Sequence, residues 1–296
     1  MVDVSFIIPS YNSFKTISCT LASITNQTAH DHVREVILVD CSDDGKTRDL
    51  FANFKDSKFK KILVNRKSPP SLLRNTGAQE AHGTILCFID SDVYLESHWL
   101  ENVLQAYKSG CPAGAGSVSA PEFQEKNNLA MAQLYLQFNE SLQVGTTRPV
   151  MMVPACNMFV ERRCFEIAGG FPDIRASEDV LLCFKLQKLG GVYLIPQARC
   201  FHIFRQSFGS YFNNQKLLGK YIIIYRRMIY DRWYYKGLWP VMMLPIFLGI
   251  KTVRIVLRIF SSGWTNVERF LVSLPLFVAG LFFWSVGFFN GCFSKE

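Results

Sequence analysis

The chain has no G-x-G-x-x-G loop and no G-x-x-x-x-G-K-[ST] loop. It therefore lacks the two familiar backbone cradles for a nucleotide's phosphates. It has no C-x-x-C pair and no Cys/His spacing of a zinc site, although it holds nine cysteines. Their number is odd, and several, such as Cys87 and Cys183, fall in core-like runs. That usage reads as reduced thiols facing the cytosol rather than a disulfide framework. Met1-Val2-Asp3-Val4 shows no basic region before a long apolar stretch, so no secretory signal is expected. There is no internal repeat and no low-complexity tract. Acidic residues are outnumbered, 24 against 32 basic, for a net charge of +8. The partners this favours are acidic: nucleotide phosphates, anionic lipid or nucleic acid.

What the chain does have is centred on Thr84 to Leu100, TILCFIDSDVYLESHWL. Ile85 to Ile89 is an unbroken apolar run, the pattern of a strand buried on both faces. It ends in Asp90-Ser91-Asp92. Ligands of open parallel sheets sit beyond the carboxyl ends of the strands. Two carboxylates there suit a hard divalent cation, Mg²⁺ or Mn²⁺, and through it a diphosphate.

The pattern around this stretch alternates. Val4 to Ile8, Val33 to Val39 and Phe59 to Val64 read as strands. Lys15 to Asn26 and Ser71 to Ala81 read as helices, the latter with Ser71 as N-cap, and the polar turn Cys41 to Thr47 feeds a further helix through about Phe54. Strands alternating with helices predict an α/β fold with a mostly parallel, Rossmann-like sheet flanked by helices. Three strands then end in polar residues on one edge: Tyr11 and Asn12, Asp40, and Asp90 with Asp92. Without a glycine-rich loop, a diphosphate at that edge must be held by metal and side chains.

Further on, Gly110 to Gly116 reads as a loop and Leu129 to Phe138 as a helix. Val150 to Val160 reads as a strand interrupted at Pro154 to Asn157. Ala176-Ser177-Glu178-Asp179 precedes an apolar helix, placing Glu178 and Asp179 in its first turn, where the dipole favours ionised carboxylates. A proton acceptor there needs an apolar wall to restore its basicity. Val192 to Ile195 is a short strand, followed by Arg199, His202 and Arg205 in a mixed loop. His202 is a candidate for a metal shell or a phosphate contact.

The ordered blocks VSFIIPSYN, VREVILVDCSDDGKT, SLLRNTGAQEAHGTILCFIDSD, ACNMFVERRCFEIAGGFPD and SEDVLLCFKLQKLGG resemble those of the GT-A-fold glycosyltransferases of family 2, over Val4 to about Tyr221. The resemblance implies a metal-dependent, inverting transfer of sugar from a nucleotide-sugar donor to a hydroxyl acceptor. It places Pro9, Tyr11 and Asp40 at the base and ribose, and Arg74 near the nucleotide. It places Asp90 at the ribose and Asp92 at the metal–diphosphate unit, with His202 as a looser further ligand. Asp179 falls where the family's proton acceptor stands, with Glu178 beside it. The Q-x-x-R-W block of processive members is absent, so one sugar per encounter is expected. Two readings stand beside this one: a sugar nucleotidyltransferase, which would want a glycine-rich loop where PSYNSFKT has none, and a catalytically inactive membrane scaffold.

Phe270 to Phe293 carries no charge and is long enough to cross a bilayer. Leu238 to Ile250 is apolar but short, and Lys251, Arg254 and Arg258 follow on one helical face. That suits an interfacial helix or the first arm of a two-span hairpin. Lys216, Lys220, Arg226, Arg227, Arg232 and Lys236 form a basic run before it, as expected next to a cytosolic leaflet. Three regions are expected: a catalytic domain over 1–215, a basic juxtamembrane segment over 216–236, and a membrane region over 237–296. The acceptor is then a hydroxyl on a lipid-linked molecule or a surface-polysaccharide precursor. Nucleic acid is not expected, because the basic residues sit beside apolar sequence.

Overall fold

A computed structural model describes residues 2–52 and 57–294. Phe54, where the sequence pattern ends its second helix, lies outside the described residues. The chain divides into two compact units, Met1–Val118 with Gly145–His202, and Ser119–Val144 with Ile203–Glu296.

The first unit is built on one mixed sheet. Its elements are β1 (Val4–Ser10), α1 (Ile17–Thr25), β2 (Val33–Asp40), α2 (Gly45–Ala52), β3 (Phe59–Leu63), α3 (Pro70–Glu80), β4 (Ile85–Ile89), β5 (Val93–Leu95), α4 (Trp99–Lys108) and β6 (Ala113–Ser119). After α5 (Asn128–Phe138), which belongs to the second unit, come β7 (Arg148–Pro149), β8 (Asn157–Glu161), α6 (Arg162–Ala168), α7 (Glu178–Leu186) and β9 (Tyr193–His202). The strand order is β3-β2-β1-β4-β8-β6-β9-β5, with β7 on β9. β3, β2, β1 and β4 run parallel, as the alternation predicts. Beyond β4 the ladders with β8, and of β8 with β6, are antiparallel.

Alternate residues of the strands feed two apolar layers. Ile7, Val39, Phe88 and Met158 pack with Leu73 of α3, Phe165 of α6 and Leu182 and Leu186 of α7. Phe6 faces the other way, with its ring 6.0 Å from Trp99 of α4. Pro69, not Ser71, precedes the first turn of α3; Pro70 opens the helix because its missing N–H is one that a helix start leaves unbonded anyway.

Two sequence expectations change here. Gly110 to Gly116 is not wholly a loop, since β6 begins at Ala113 inside the sheet. A Cβ at Gly116 would collide with the carbonyl of Ala198, so glycine is there to let backbones approach, the other meaning of glycine in a strand. The last strand runs ten residues, to His202, so Arg199 and His202 are strand residues. The strand continues through Pro196, past the Ile195 end that the sequence pattern gave it.

The second unit is helical: α5, then α8 (Phe208–Ile229), α9 (Trp239–Ser261) and α10 (Trp264–Cys292). Glycines set its packing. A Cβ on Gly219 of α8 would strike the carbonyl of Trp284, and one on Gly287 of α10 would strike that of Lys216. The Tyr211 hydroxyl donates to the Leu276 carbonyl at 2.9 Å. Arg227 donates to the carbonyls of Gly291 and Cys292, at 3.4 and 2.9 Å. It thereby satisfies open acceptors at the end of α10. Residue 215, the expected end of the catalytic domain, falls inside α8.

Among the described residues, α9 and α10 are long and apolar enough to cross a membrane. α9 is one continuous helix through Pro245, where the sequence pattern left a short apolar segment and a basic one separate. Its exposed side chains include Met242, Ile246, Ile250, Val253, Leu257 and Phe260. That is an apolar face at helical spacing.

Candidate active site

In the parallel ladders Ser10 lies level with Asp40, and Ile7 with Phe88. The carboxyl ends of β2, β1 and β4 therefore share one edge, and Asp40 and Asp90 stand two strand spacings apart, about 10 Å.

At the β2 end, Asp40 is almost wholly buried, at 1% exposure. Its Oδ1 accepts from the Ser42 hydroxyl at 2.6 Å, and Ser42 Oγ in turn accepts from the backbone N–H of Asn12 at 2.7 Å. Asp40 Oδ2 is buried with no partner among the described residues. A buried carboxylate oxygen left without a donor is costly, so this one points to a ligand N–H or O–H. Asn12 sits in the left-handed region, φ +52°, where Asn is among the more tolerant residues. Its Oδ1 accepts from the N–H groups of Asp43 and Asp44, and its Nδ2 donates to Asp43 Oδ1 at 2.6 Å. Those bonds tie the loop after β1 to the loop after β2. Tyr11 is half exposed; its hydroxyl donates to Asp43 at 3.1 Å, and Lys67 lies 4.4 Å from its ring centre. The Asn12 and Tyr11 bonds hold the Asp43 carboxyl below its usual range. Pro9 is buried inside β1, opposite Val39, so its part is to shape the strand end.

At the β4 end, Arg74 is 3% exposed. Its Nη2 donates to Asp90 Oδ1 and its Nη1 to Glu178 Oε1, both at 2.6 Å. Burial opposes a charge there, but the two carboxylates outweigh it and raise the proton affinity of the guanidinium. The ring of Phe171 lies 5.4 Å from the guanidinium carbon. The resemblance puts Arg74 beside the nucleotide; here both Nη groups are spent on protein carboxylates. Glu178, expected beside the proton acceptor, is buried in that ion pair. α3 carries Arg74 on the face that also buries Gly77 and Ala78, and a buried arginine demands acidic partners.

Asp179 is partly buried at the start of α7, after Ser177 at φ +67°. Among the described residues, Asn12 and Ser177 are the non-glycine residues with positive φ, and both adjoin this site, where backbone strain tends to gather. Asp179 Oδ2 accepts from Ala155 N–H at 3.3 Å, and Oδ1 from Val180 N–H at 2.8 Å. The next carbonyl, of Cys156, accepts from Asp90 N–H at 3.1 Å. The 150–156 segment thus joins the Asp90 and Asp179 sites a second time. Burial first, and the Glu178 carboxylate second, push the Asp179 carboxyl up to about 7, against Arg74 and the two N–H bonds.

β5 pairs with β9 so that Val93 faces His202. The pairing sets His202 Nε2 3.8 Å from Asp92 Oδ1. Asp92 is the more exposed of the two. Among the described residues no three His, Cys, Asp or Glu side chains gather into a metal-binding group. One carboxylate and one imidazole nonetheless fit Mg²⁺ or Mn²⁺ used as such ions usually are, with phosphate oxygens and water completing the shell.

The sequence pattern missed two supports, Ser42 and Asn75. Asn75 accepts from Phe171 N–H and donates to its carbonyl, at 2.9 and 2.8 Å, holding the turn that presents the Phe171 ring to Arg74.

Comparison with known proteins follows the same lines. The family model Glycosyl transferase family 2 matches residues 5–167, a span holding Asp40, Arg74, Asp90 and Asp92. Glycosyltransferase AglE of Haloferax volcanii is 27% identical over 173 residues, 57% of this chain and 56% of that one. The UDP-Glc:alpha-D-GlcNAc-diphosphoundecaprenol beta-1,3-glucosyltransferase WfgD of Escherichia coli is 32% identical over 102 residues, 34% of this chain and 38% of that one. The chain thus spans about half or less of the length of these curated relatives. In fold it is similar to the mannosyltransferase PcManGT of Pyrobaculum calidifontis, solved with GDP-Man and Mn²⁺: TM-score 0.64, 15% identity, covering 100% of this chain and 90% of that one. It is also similar to residues 1–349 of Staphylococcus aureus TarS, solved with UDP-GlcNAc: TM-score 0.56, 15% identity, covering 94% and 81%.

Proposed function

The chain belongs to glycosyl transferase family 2, and on that premise we propose that it moves a single sugar from a nucleotide-sugar donor to a hydroxyl acceptor, with inversion at the anomeric carbon. The observation that carries this reading is the pair of carboxylates with opposite fates on one edge. Asp40 is buried, held by Ser42, and keeps one oxygen for a donor group. Asp179 is pushed towards neutrality, where a general base works best near pH 7.

In this reading Asp40 accepts from the nucleobase, Tyr11 offers its ring as a wall, and Asp90 accepts from the ribose. Asp92 and His202 would hold a divalent cation, which when bound neutralises charge building on the diphosphate leaving group. Asp179 takes the proton of the acceptor hydroxyl as it attacks opposite the leaving group. Arg74 and Glu178 hold the carboxylates in place. The acceptor is a lipid-linked molecule or a surface-polysaccharide precursor: WfgD is named for a diphosphoundecaprenol-linked acceptor, and α9 and α10 give this chain two apolar helices of spanning length. The basic residues of α8 favour a cytosolic face for the catalytic unit.

The test is a thermal-shift screen of UDP- and GDP-sugars against the full chain, with and without Mn²⁺. The expected result is stabilisation by one donor, strengthened by the metal; at one hundred times its Kd such a ligand adds about 2.7 kcal/mol. Stabilisation by none of them, at millimolar concentration with Mn²⁺ present, would overturn the reading.

A further inference from the structure

Arg74 stands at the middle of a three-element junction. It comes from α3, Asp90 from the end of β4, and Glu178 from the first turn of α7. Each of the two Nη groups serves a different carboxylate. The third nitrogen, Nε, is buried with no partner among the described residues. An arginine docked on one carboxylate alone would use a two-pronged fork. Here the fork is opened to bridge two acids: Asp90, which in the reading above accepts from the donor's ribose, and Glu178, which stands beside the proton acceptor Asp179.

We propose that Arg74 is a positioning residue that couples the donor half of the site to its proton-accepting half. The proposal rests on the glycosyltransferase reading for its meaning, but not for its test. Asp90 and Glu178 compete for one cation. Whatever loosens the hold of Asp90 leaves more of the guanidinium to Glu178, and a better-neutralised Glu178 repels the Asp179 charge less. A ribose hydroxyl donating to Asp90 would do this, so donor arrival would make Asp179 easier to ionise. The charged and titratable groups facing Asp179 are Glu178 and Cys183 on its own helix and Arg74 on α3, while the 150–156 segment presents the Ala155 N–H.

The direction of each effect follows from linkage. Asp179 binds its proton more tightly in the folded chain than in the unfolded one. Its ionisation therefore costs stability as pH rises from about 4 to about 7. The Asp179 contribution is the extra loss of Tm between pH 5 and pH 8 in the parent, compared with the same chain carrying Asp179→Asn. The full chain in one detergent is melted as wild type, Arg74→Gln, Arg74→Lys, Glu178→Gln, Asp90→Asn and Arg74→Gln with Asp90→Asn, each with and without Asp179→Asn. No substrate is needed.

The contribution should grow in Arg74→Gln, by ~2 °C or more, since about 1 kcal/mol moves Tm by that much in a chain of this size. It should grow part way in Arg74→Lys, whose single ammonium cannot bridge both acids. It should shrink in Glu178→Gln and in Asp90→Asn, and the Asp90→Asn effect should vanish when combined with Arg74→Gln. A support that only stiffens the fold would change Tm without changing the Asp179 contribution, and equal contributions in every background would overturn the proposal. Should Arg74→Gln not fold, Arg74→Lys decides: a contribution equal to wild type would overturn it. If the couplings hold while no nucleotide sugar binds, the junction stands and the glycosyltransferase reading falls.

Discussion

The two units solve the problem of polarity in opposite ways. In the first, charges are drawn inward. Asp40, Arg74 and Glu178 are buried and gripped by one another or by Ser42. In the second, the helices meet through what is missing, a side chain at Gly219 and Gly287, and through single polar groups placed on carbonyls, Tyr211 and Arg227. A buried charge network adds little net stability and is retained for what it positions. Close helix contact through small residues is a matter of shape. Substitutions in the first unit that leave the buried ion pairs intact should therefore remove chemistry and spare the fold, and those that crowd the glycine contacts of the second should do the reverse.

The largest effect expected on that contrast is at Asp179. Asp179→Asn keeps the shape and one of the N–H bonds but cannot take a proton. Transfer should fall by roughly 100-fold or more, as for a lost general base, while the nucleotide sugar still binds. In the wild type, transfer should rise with pH through about 7 as Asp179 ionises, and the variant should lose that limb. Single-turnover assays beside donor titrations separate the two. Full turnover by Asp179→Asn would remove it as the base.

The reverse case is Gly287→Leu. A side chain there would push into the Lys216 carbonyl of α8. Overpacking of this kind costs about 1–3 kcal/mol. Melting of the full chain in detergent should register that loss, with donor affinity per folded molecule unchanged. If stability were untouched, α8 and α10 would not be in the contact described.

How much of this was legible in the sequence follows the same divide. The parallel half of the sheet was readable because Val4 to Ile8, Val33 to Val39 and Ile85 to Ile89 are mostly apolar, broken at Ser5, Arg34 and Glu35, and polar residues follow each run. Asp40, Asp90 and Asp92 could be put on one edge from that alone. The antiparallel half was not readable. Gly114 and Gly116 mimic a loop, and Pro196 mimics a strand end, because what each glycine or proline meets lies on a distant strand. The Arg74 junction was hidden for a related reason: Asp90 and Glu178 lie 16 and 104 residues from it, and no local pattern states a partner at that distance. Its one local trace is a charge on the apolar face of α3. The apolar run of α10 was visible by composition, while the extent of α8 and the continuity of α9 through Pro245 were not, and the helix contacts were hidden because a glycine in an apolar run looks the same whether it faces lipid, water or another backbone.

Within the first unit, Ser42 tests how far positioning alone carries the nucleotide end. Ser42→Ala strips Asp40 of the hydroxyl that donates to its Oδ1 and leaves both buried carboxylate oxygens unsatisfied. The carboxylate would then turn towards whatever donor it can reach. Affinity for the donor found in the screen should weaken about 10-fold, equivalent to 1.4 kcal/mol, with the rate at saturation kept. A change in rate at saturation with unchanged affinity would mean that Asp40 serves the reacting centre and not the nucleotide.

The smallest effect, and the finest test, is at Asn12. Its backbone N–H holds Ser42, and its side chain ties Asp43 and Asp44 to the β1 end. Asn12→Gly keeps the left-handed backbone at little strain and so leaves the N–H on Ser42 while deleting the ties. Asn12→Ala deletes the same ties and strains the backbone as well. If the loop matters through the backbone N–H, the glycine variant should bind the nucleotide within about 3-fold of wild type, under 1 kcal/mol, and the alanine variant should bind more weakly. If the side-chain ties to Asp43 and Asp44 do the positioning, both variants should lose affinity equally. Titration of the nucleoside diphosphate against the two proteins decides which of the linked bonds presents Asp40 to its ligand.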